Sequence, residues 1–277
     1  RIMKYCYQDY LNMLSFVRKK TDLKPSIGII LGSGLDSILS SMEILATIPY
    51  KEIPGLPVST NKAHKGQFVF ANDGKTDIIF MQGRLHYYEG YTAEEVTSPI
   101  RLLRLLGVKN LILSNACGGI SFGPGNMMLI KDHILYNTPS PLYGANIDGF
   151  GPRFPDMSDP YDTKNRIRIL QAAEKEGLPV KEGVYIQFPG PQYETKAEIE
   201  MAKRMGADAV GMSTAQESIV ANQMGMRVLG VATISNWCTG IVKGKKLDDM
   251  EVIEAGKKLA PSFEKLLRIC INTIQKE

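Results

Sequence analysis

Asp77-Ile78-Ile79-Phe80-Met81-Gln82-Gly83-Arg84-Leu85-His86-Tyr87-Tyr88-Glu89-Gly90 is the stretch on which the reading of the fold turns. Its first half is an apolar run of strand length. Its second half puts a cation, an imidazole and phenols on the loop that leaves that strand, where α/β proteins carry their chemistry. A second apolar run, Asn110-Leu111-Ile112-Leu113, leads into Asn115-Ala116-Cys117-Gly118-Gly119-Ile120. Small residues and paired glycines suit a backbone that approaches something closely. Together the two loops read as a pocket for an anion and a sugar.

Outward from this pair, apolar runs of strand length recur at Ile27 to Leu31, Gln67 to Ala71, Met128 to Leu135, Val184 to Gln187, Ala209 to Met212 and Val228 to Ile234. Helical patterns between several of them predict an α/β fold with a mixed, mainly parallel central sheet flanked by helices. Ser98-Pro99 reads as an N-cap and first helical residue for Ile100 to Leu106, closed by Gly107. Thr195-Lys196-Ala197-Glu198 and Thr214-Ala215-Gln216-Glu217 both read as capping boxes that open helices. Apolar residues at helical spacing predict a last helix over Asp249 to Ile274 that packs on the sheet. The proline- and glycine-rich connection from Asn137 to Asp159 is too long for a passive loop, and such loops are usually functional or interfacial.

The chain has 277 residues, 44% of them hydrophobic, enough for one large α/β domain over 1–277. Its 33 basic and 29 acidic residues leave a net charge of +4. The basic clusters Arg18-Lys19-Lys20 and Lys243-Gly244-Lys245-Lys246 read as solvated surface, so no nucleic-acid partner is expected. Four cysteines lie far apart with no C-x-x-C pair, which argues against a zinc ribbon or a disulfide framework. No apolar stretch approaches the ~20 residues of a membrane span, and no signal sequence is evident at the N-terminus. A soluble cytoplasmic protein without a membrane partner is the expectation.

Several residues carry candidate chemistry. Gly32-Ser33-Gly34 after the first strand can form an anion-binding nest, although Ser37 at the third glycine position breaks the dinucleotide fingerprint. Arg84 offers a planar fork for phosphate oxygens, and His86 a further donor. His64 suits a polar loop role, His133 that of a satisfied core residue, and the three histidines show no metal-ligand spacing. Glu194, ahead of the Thr195 helix, suits either the helix dipole or the N–H groups of a planar heterocycle. Tyr193 can pack on a ring, and Asn236 can supply both a donor and an acceptor. Met212-Ser213 ends a strand with a soft apolar surface beside a hydroxyl.

With these residues assembled, the chain resembles the trimeric class of purine nucleoside phosphorylases, the family that includes methylthioadenosine phosphorylases. The likeness runs from Gly28 to at least Gly240. Its carriers are Leu31-Gly32-Ser33-Gly34-Leu35, His64-Lys65-Gly66, Gly83 to Gly90, Asn115 to Gly119, Arg153 to Asp159, Gly190-Pro191-Gln192-Tyr193-Glu194-Thr195, Gly211-Met212-Ser213-Thr214 and Ser235-Asn236.

The resemblance implies the nucleoside phosphorylase fold and phosphorolysis of purine nucleosides. Ser33, His64, Arg84, His86, Ala116 and Ser213 would bind inorganic phosphate, a co-substrate. Tyr88, Met212 and Tyr193 would line the ribose, joined by Phe154 from a neighbouring subunit of a homotrimer. Glu194, Asn236 and Tyr193 would hold the purine, with His86, Glu194 and Asn236 as the catalytic groups. No metal or organic cofactor is implied. A carboxylate at Glu194 favours bases with a proton at N1, so inosine and guanosine are expected over adenosine. Xanthosine also fits, and a noncatalytic nucleoside-binding protein is a rival of another class.

Overall fold

The computed structural model describes residues 4–32, 34–61, 64–244, 247 and 249–276, without the side chains of 249–253. Nine strands run through the chain: β1 (Ile27–Leu31), β2 (Glu43–Pro49), β3 (Gln67–Asn72), β4 (Asp77–Gln82), β5 (Asn110–Gly119), β6 (Met127–Leu135), β7 (Val180–Gln187), β8 (Ala209–Gly211) and β9 (Arg227–Trp237). Six α-helices accompany them: α1 (Tyr7–Arg18), α2 (Ala93–Leu106), α3 (Thr163–Lys175), α4 (Lys196–Arg204), α5 (Ala215–Gln223) and α6 (Asp249–Gln275). The sheet is mixed, as expected. β1 pairs in parallel with β4 and β5, β5 with β9, β6 with β7 and β7 with β8, whereas β2–β3, β3–β4, β5–β8 and β6–β9 are antiparallel.

β5 is the hinge of this topology. Over Asn110 to Leu113 it lies between β1 and β9, and at Gly118 and Gly119 it lies between β8 and β9. The open wing β2-β3-β4-β1 therefore runs through β5 into a closed ring, β5-β8-β7-β6-β9, sealed by the β5–β9 pairing. A bulge between Cys117 and Gly118 marks the change. Bulges bend a strand and re-aim its side chains, which suits a strand passing from sheet to ring.

Strand periodicity divides the core between the two faces. Ile30, Ile79, Met81, Leu111 and Leu113 join a cluster with Ile100 and Leu103 of α2. Ile27, Ile29, Ile78, Phe80 and Ile112 join another with Phe263 and Leu267 of α6. Burial on both sides explains why these strands read as unbroken apolar runs.

The start of α2 and the cap of α5 differ from the sequence expectation. α2 begins at Ala93, a full turn and more before Pro99, under a Thr92 cap whose hydroxyl accepts from Glu95 N at 3.2 Å. Pro99 sits inside it without a backbone N–H, and the carbonyl of Glu95 that it leaves orphaned accepts from the Ser98 hydroxyl at 2.8 Å. Ser98 therefore repairs the helix interior rather than capping it. The Thr195 box opens α4 as expected, with both reciprocal bonds present. The Thr214 box does not form, because both of its side chains are engaged elsewhere.

The long connection after β6 holds no helix or strand among the described residues. It docks through Phe150, whose ring meets Tyr7 and Tyr10 of α1 edge-on and lies 4.8 Å beneath the Arg101 guanidinium. No described helix is long and apolar enough to cross a membrane. Phe263 is fully buried between α6 and the sheet. Phe263→Ala is expected to lower stability by about 3–5 kcal/mol, read as a lower denaturant midpoint with an unchanged slope.

Candidate active site

The carboxyl ends of β1, β4, β5 and β9 share one edge of the sheet, and the β8–α5 junction and the turn after β7 close over it. His64, Arg84, His86, Tyr88, Ala116, Tyr193, Glu194, Met212, Ser213 and Asn236 all line one cavity there, of about 170 Å³. Ser33 lies outside the described residues, although Gly32 before it lines the same cavity. Phe154 does not reach the cavity of its own chain and is 87% exposed. His133 stays away from the cavity, half-buried on β6 and hydrogen-bonded to Tyr161 at 2.9 Å. Lys245 and Lys246 of the second basic cluster lie outside the described residues, and Lys243 is exposed.

Arg84 is buried to 1% exposure and does not reach the cavity as a free cation. Its Nε and Nη2 donate to the two carboxylate oxygens of Glu217 on α5, at 3.0 and 2.8 Å, and Nη1 donates to the Ser114 carbonyl. Three of its five N–H groups are thereby used, and its charge is balanced by a carboxylate that is itself 2% exposed. The two N–H groups that remain can still face an anion. Glu217 is thus bound to Arg84 rather than to the Thr214 backbone, one reason the expected capping box is absent.

The loop after β4 is organised by Glu89. Its carboxylate accepts from the backbone N–H of His86 at 2.7 Å, from the Ser59 and Thr60 hydroxyls at 3.1 and 2.8 Å, and from the Thr60 N–H. Burial acts to raise the Glu89 pKa, but the hydrogen bonds from His86 and Thr60 outweigh it and hold it at about 2. Three rings stack on the resulting frame, His64 on His86 at 5.2 Å and His86 on Tyr88 at 4.7 Å between centroids. Gly83, at φ 109°, permits the close approach, because a Cβ there would lie 2.7 Å from the His64 Cβ. Burial, with the neighbouring His86 and Arg84 charges, lowers the His64 pKa to about 3, and burial also lowers that of His86 against the pull of Glu89. Both imidazoles are therefore neutral at pH 7.

A second group of side chains is arranged around Glu194 and Asn236. β9 extends three residues past the predicted Ile234, so Asn236 lies within the strand opposite Gly118 rather than beyond it. The cause is tertiary, since polar residues continue the ladder only because β5 is there to pair with them. Asn236 Oδ1 accepts from the Ser235 hydroxyl at 2.8 Å and its Nδ2 donates to the Trp237 carbonyl at 3.0 Å, which fixes the amide plane. Glu194 is 8% exposed and its Oε1 has no partner among the described residues. Burial raises its pKa to about 7, with the Glu198 charge adding to the effect. Gly190 lets this segment close on Met212 and Tyr88, since a Cβ there would meet Met212 Sδ at 2.4 Å and the Tyr88 ring at 3.3 Å.

The β8–α5 junction is strained. Thr214 adopts φ 81° and ψ −51°, and Ala215 N donates to the Ser213 carbonyl at 3.0 Å, which defines a γ-turn of the rare, positive-φ kind. A β-branched residue in this geometry costs about 1–3 kcal/mol that the surroundings must supply. The Thr214 hydroxyl accepts from Asn115 Nδ2 at 2.9 Å instead of capping α5.

A family model described as the phosphorylase superfamily matches residues 26–272. Purine nucleoside phosphorylase 1 of Geobacillus stearothermophilus is 45% identical over 263 residues, covering 94% of this chain and 96% of that protein. The solved structure of a Schistosoma purine nucleoside phosphorylase in complex with hypoxanthine superposes with a TM-score of 0.90 at 36% identity, covering 96% of this chain and 97% of the other. The Schistosoma mansoni enzyme in complex with inosine gives the same TM-score and identity, with 96% of each chain covered. The chain belongs to the purine nucleoside phosphorylase family. It is accordingly an enzyme of the pentosyltransferase class with the nucleoside phosphorylase fold.

Within this phosphorylase, Glu89, Asn115, Thr214 and Glu217 support the cavity, although the sequence reading gave Glu89 and Asn115 no individual role and Thr214 and Glu217 only that of a helix cap. Glu89 and Asn115 stood inside quoted motifs, but only contacts across the fold show what they hold. Glu217→Ala should cost about 3–5 kcal/mol of stability, because it leaves Arg84 as a buried unpaired charge. Glu89 is expected to stabilise the fold in full above about pH 4.5, its unfolded value, and to lose that contribution as pH falls toward about 2. Urea titrations of the wild type and Glu89→Gln should therefore differ most near neutrality and converge in acid.

Proposed function

We propose that this enzyme catalyses reversible phosphorolysis of 6-oxopurine ribonucleosides and deoxyribonucleosides, such as inosine and guanosine, to the free base and (deoxy)ribose 1-phosphate. Inorganic phosphate is the co-substrate, and no metal or organic cofactor takes part. The observation that carries the reading is Glu194, a buried carboxylate with one unpaired oxygen in the cavity that also holds Arg84, His86 and Ser213. An ionised carboxylate needs a donor opposite it. Hypoxanthine and guanine carry one at N1, whereas adenine presents a bare acceptor there.

Breaking the bond between C1′ and purine N9 builds positive charge on the sugar and negative charge on the base, and both must be stabilised in place. Phosphate held by Ser33, His64, Arg84, His86, the Ala116 N–H and Ser213 stabilises the sugar cation. A phosphate oxygen then bonds to C1′ with inversion as the C1′–N9 pair leaves with the base, whose anion takes up a proton from solvent to give the free purine. Asn236 donates its second Nδ2–H, the one not used on Trp237, to the N7 and O6 edge of the departing purine, while Glu194 accepts from N1. Tyr88, Met212 and Tyr193 fit the ribose.

The proposal extends to a homotrimer in which Phe154 enters a neighbouring subunit's pocket, as the resemblance implies. Its 87% exposure and the 78% exposure of Tyr143 on the same connection fit a surface awaiting a second copy. Four free cysteines, three of them buried, fit a reducing cytoplasmic setting.

Inosine and guanosine should yield base and sugar phosphate in equal amounts only when phosphate is present. Free ribose without phosphate would overturn the proposal, and faster turnover of xanthosine would move the substrate assignment. Glu194→Gln should cut kcat/KM for inosine by roughly 10–100-fold, the worth of a hydrogen bond to a charged group. Because Glu194 ionises near pH 7, the preference for inosine over adenosine should grow as pH rises through about 7. Light scattering should report a trimer, and an active monomer would remove Phe154 from the site.

A further inference from the structure

The γ-turn at Thr214 lies between two groups that belong to the cavity wall, Asn115 on β5 and Ser213 after β8. Asn115 is 2% exposed, and its oxygen finds no partner among the described residues, so the amide is anchored through Nδ2. That nitrogen donates to Thr214 Oγ1 at 2.9 Å, and Thr214 Oγ1 lies 3.3 Å from Ser213 Oγ. An amide N–H can only donate, so the Thr214 oxygen is the acceptor in the first bond. Its own proton is then available to the Ser213 oxygen. Ser213 Oγ, once it accepts, keeps its proton for the cavity.

We infer that Asn115 and Thr214 form a one-way hydrogen-bond relay that turns the Ser213 hydroxyl proton toward the phosphate, and that the strained turn exists to hold this relay in register. Both are positioning residues that act through Ser213. The need for a fixed donor follows from the charge arrangement, because Arg84 has three N–H groups engaged and its charge balanced by Glu217. A relay in a buried site also polarises each hydroxyl in turn, which strengthens the last donor. The Ser213 backbone is fixed independently, its N–H donating to the Tyr185 hydroxyl at 3.2 Å. The relay therefore governs the direction of the hydroxyl rather than the position of the chain.

The inference rests on the proposed phosphate role of Ser213, and a double-mutant cycle on the purified enzyme separates the two. Steady-state kinetics with inosine and inorganic phosphate would be measured for Ser213→Ala, Asn115→Ala and the double variant. Ser213→Ala should raise the phosphate KM by roughly ten-fold or more. Asn115→Ala should raise it by roughly three- to ten-fold, leave the inosine KM within about two-fold, and add nothing in the Ser213→Ala background. Effects that multiply in the double variant, or an unchanged phosphate KM in Asn115→Ala alone, would overturn the relay while leaving Ser213 in the phosphate site. An unchanged phosphate KM in Ser213→Ala would overturn both. Should Asn115→Ala fail to fold, Thr214→Ser and Thr214→Ala decide the matter. Serine keeps the hydroxyl and should hold the phosphate KM near the wild-type value, whereas alanine should raise it as Asn115→Ala would, and equal values for the two would sink the idea.

Discussion

Strand β5 is paired twice over, and that double pairing sets where every wall of the cavity lies. One ten-residue strand is held by β1 and β9 in its first half and by β8 and β9 in its second. Because β8 runs antiparallel to it, the chain leaving β8 travels back along β5, and Ser213 and Thr214 come to lie beside Asn115. Because β9 runs parallel to it, Asn236 arrives at the same edge opposite Gly118. Residues about a hundred positions apart in sequence are thereby brought into one cavity by backbone hydrogen bonds alone. The ring that β5 closes also pairs each of those strands on both sides over part of its length, which reduces a liability of open sheets.

Electrostatics in the cavity follow from burial. A site that is to hold an anion contains a carboxylate, Glu217, bound to its principal cation, and two imidazoles that burial keeps neutral. An unpaired Arg84 in this position would carry a large desolvation cost, so the fold stabilises it with a bidentate partner and leaves two of its N–H groups outside the described bonds. Glu89 has a similar place one turn away, where five donors make its ionised form favourable despite burial. Glu194 has its own backbone N–H but no partner for Oε1 among the described residues, so burial prevails and its pKa moves in the opposite direction. Three carboxylates near one cavity are thus set apart by the number of N–H and O–H groups that face them, which is how one fold assigns different tasks to the same functional group.

β1, β3, β4, β5 and β9 were legible because strands buried on both faces must be apolar throughout, and such runs stand out in a sequence. β2 was not legible. It lies at the edge of the sheet with Ile44 and Leu45 exposed, so no buried face imposes a pattern on it. The last three residues of β9 and the true start of α2 were hidden for a related reason. Asn236 and Trp237 are extended because β5 pairs with them, and Pro99 is tolerated inside α2 because Ser98 satisfies the carbonyl it orphans.

Local patterns along the chain were enough for the class of fold, the strand ends where polar residues gather, and the residue types offered to an anion, a sugar and a base. Those features are local, since strand-length runs, turn glycines and helix caps act over a few residues. Tertiary structure alone decided the state of each group. That Arg84 is neutralised by Glu217, that Glu194 is left with an unpaired oxygen, and that Thr214 is strained and turned to Asn115 are consequences of burial and of contacts spanning up to 133 positions. A charge or a hydroxyl acquires its chemical role from the dielectric and the partners around it, and those exist only once the chain has folded.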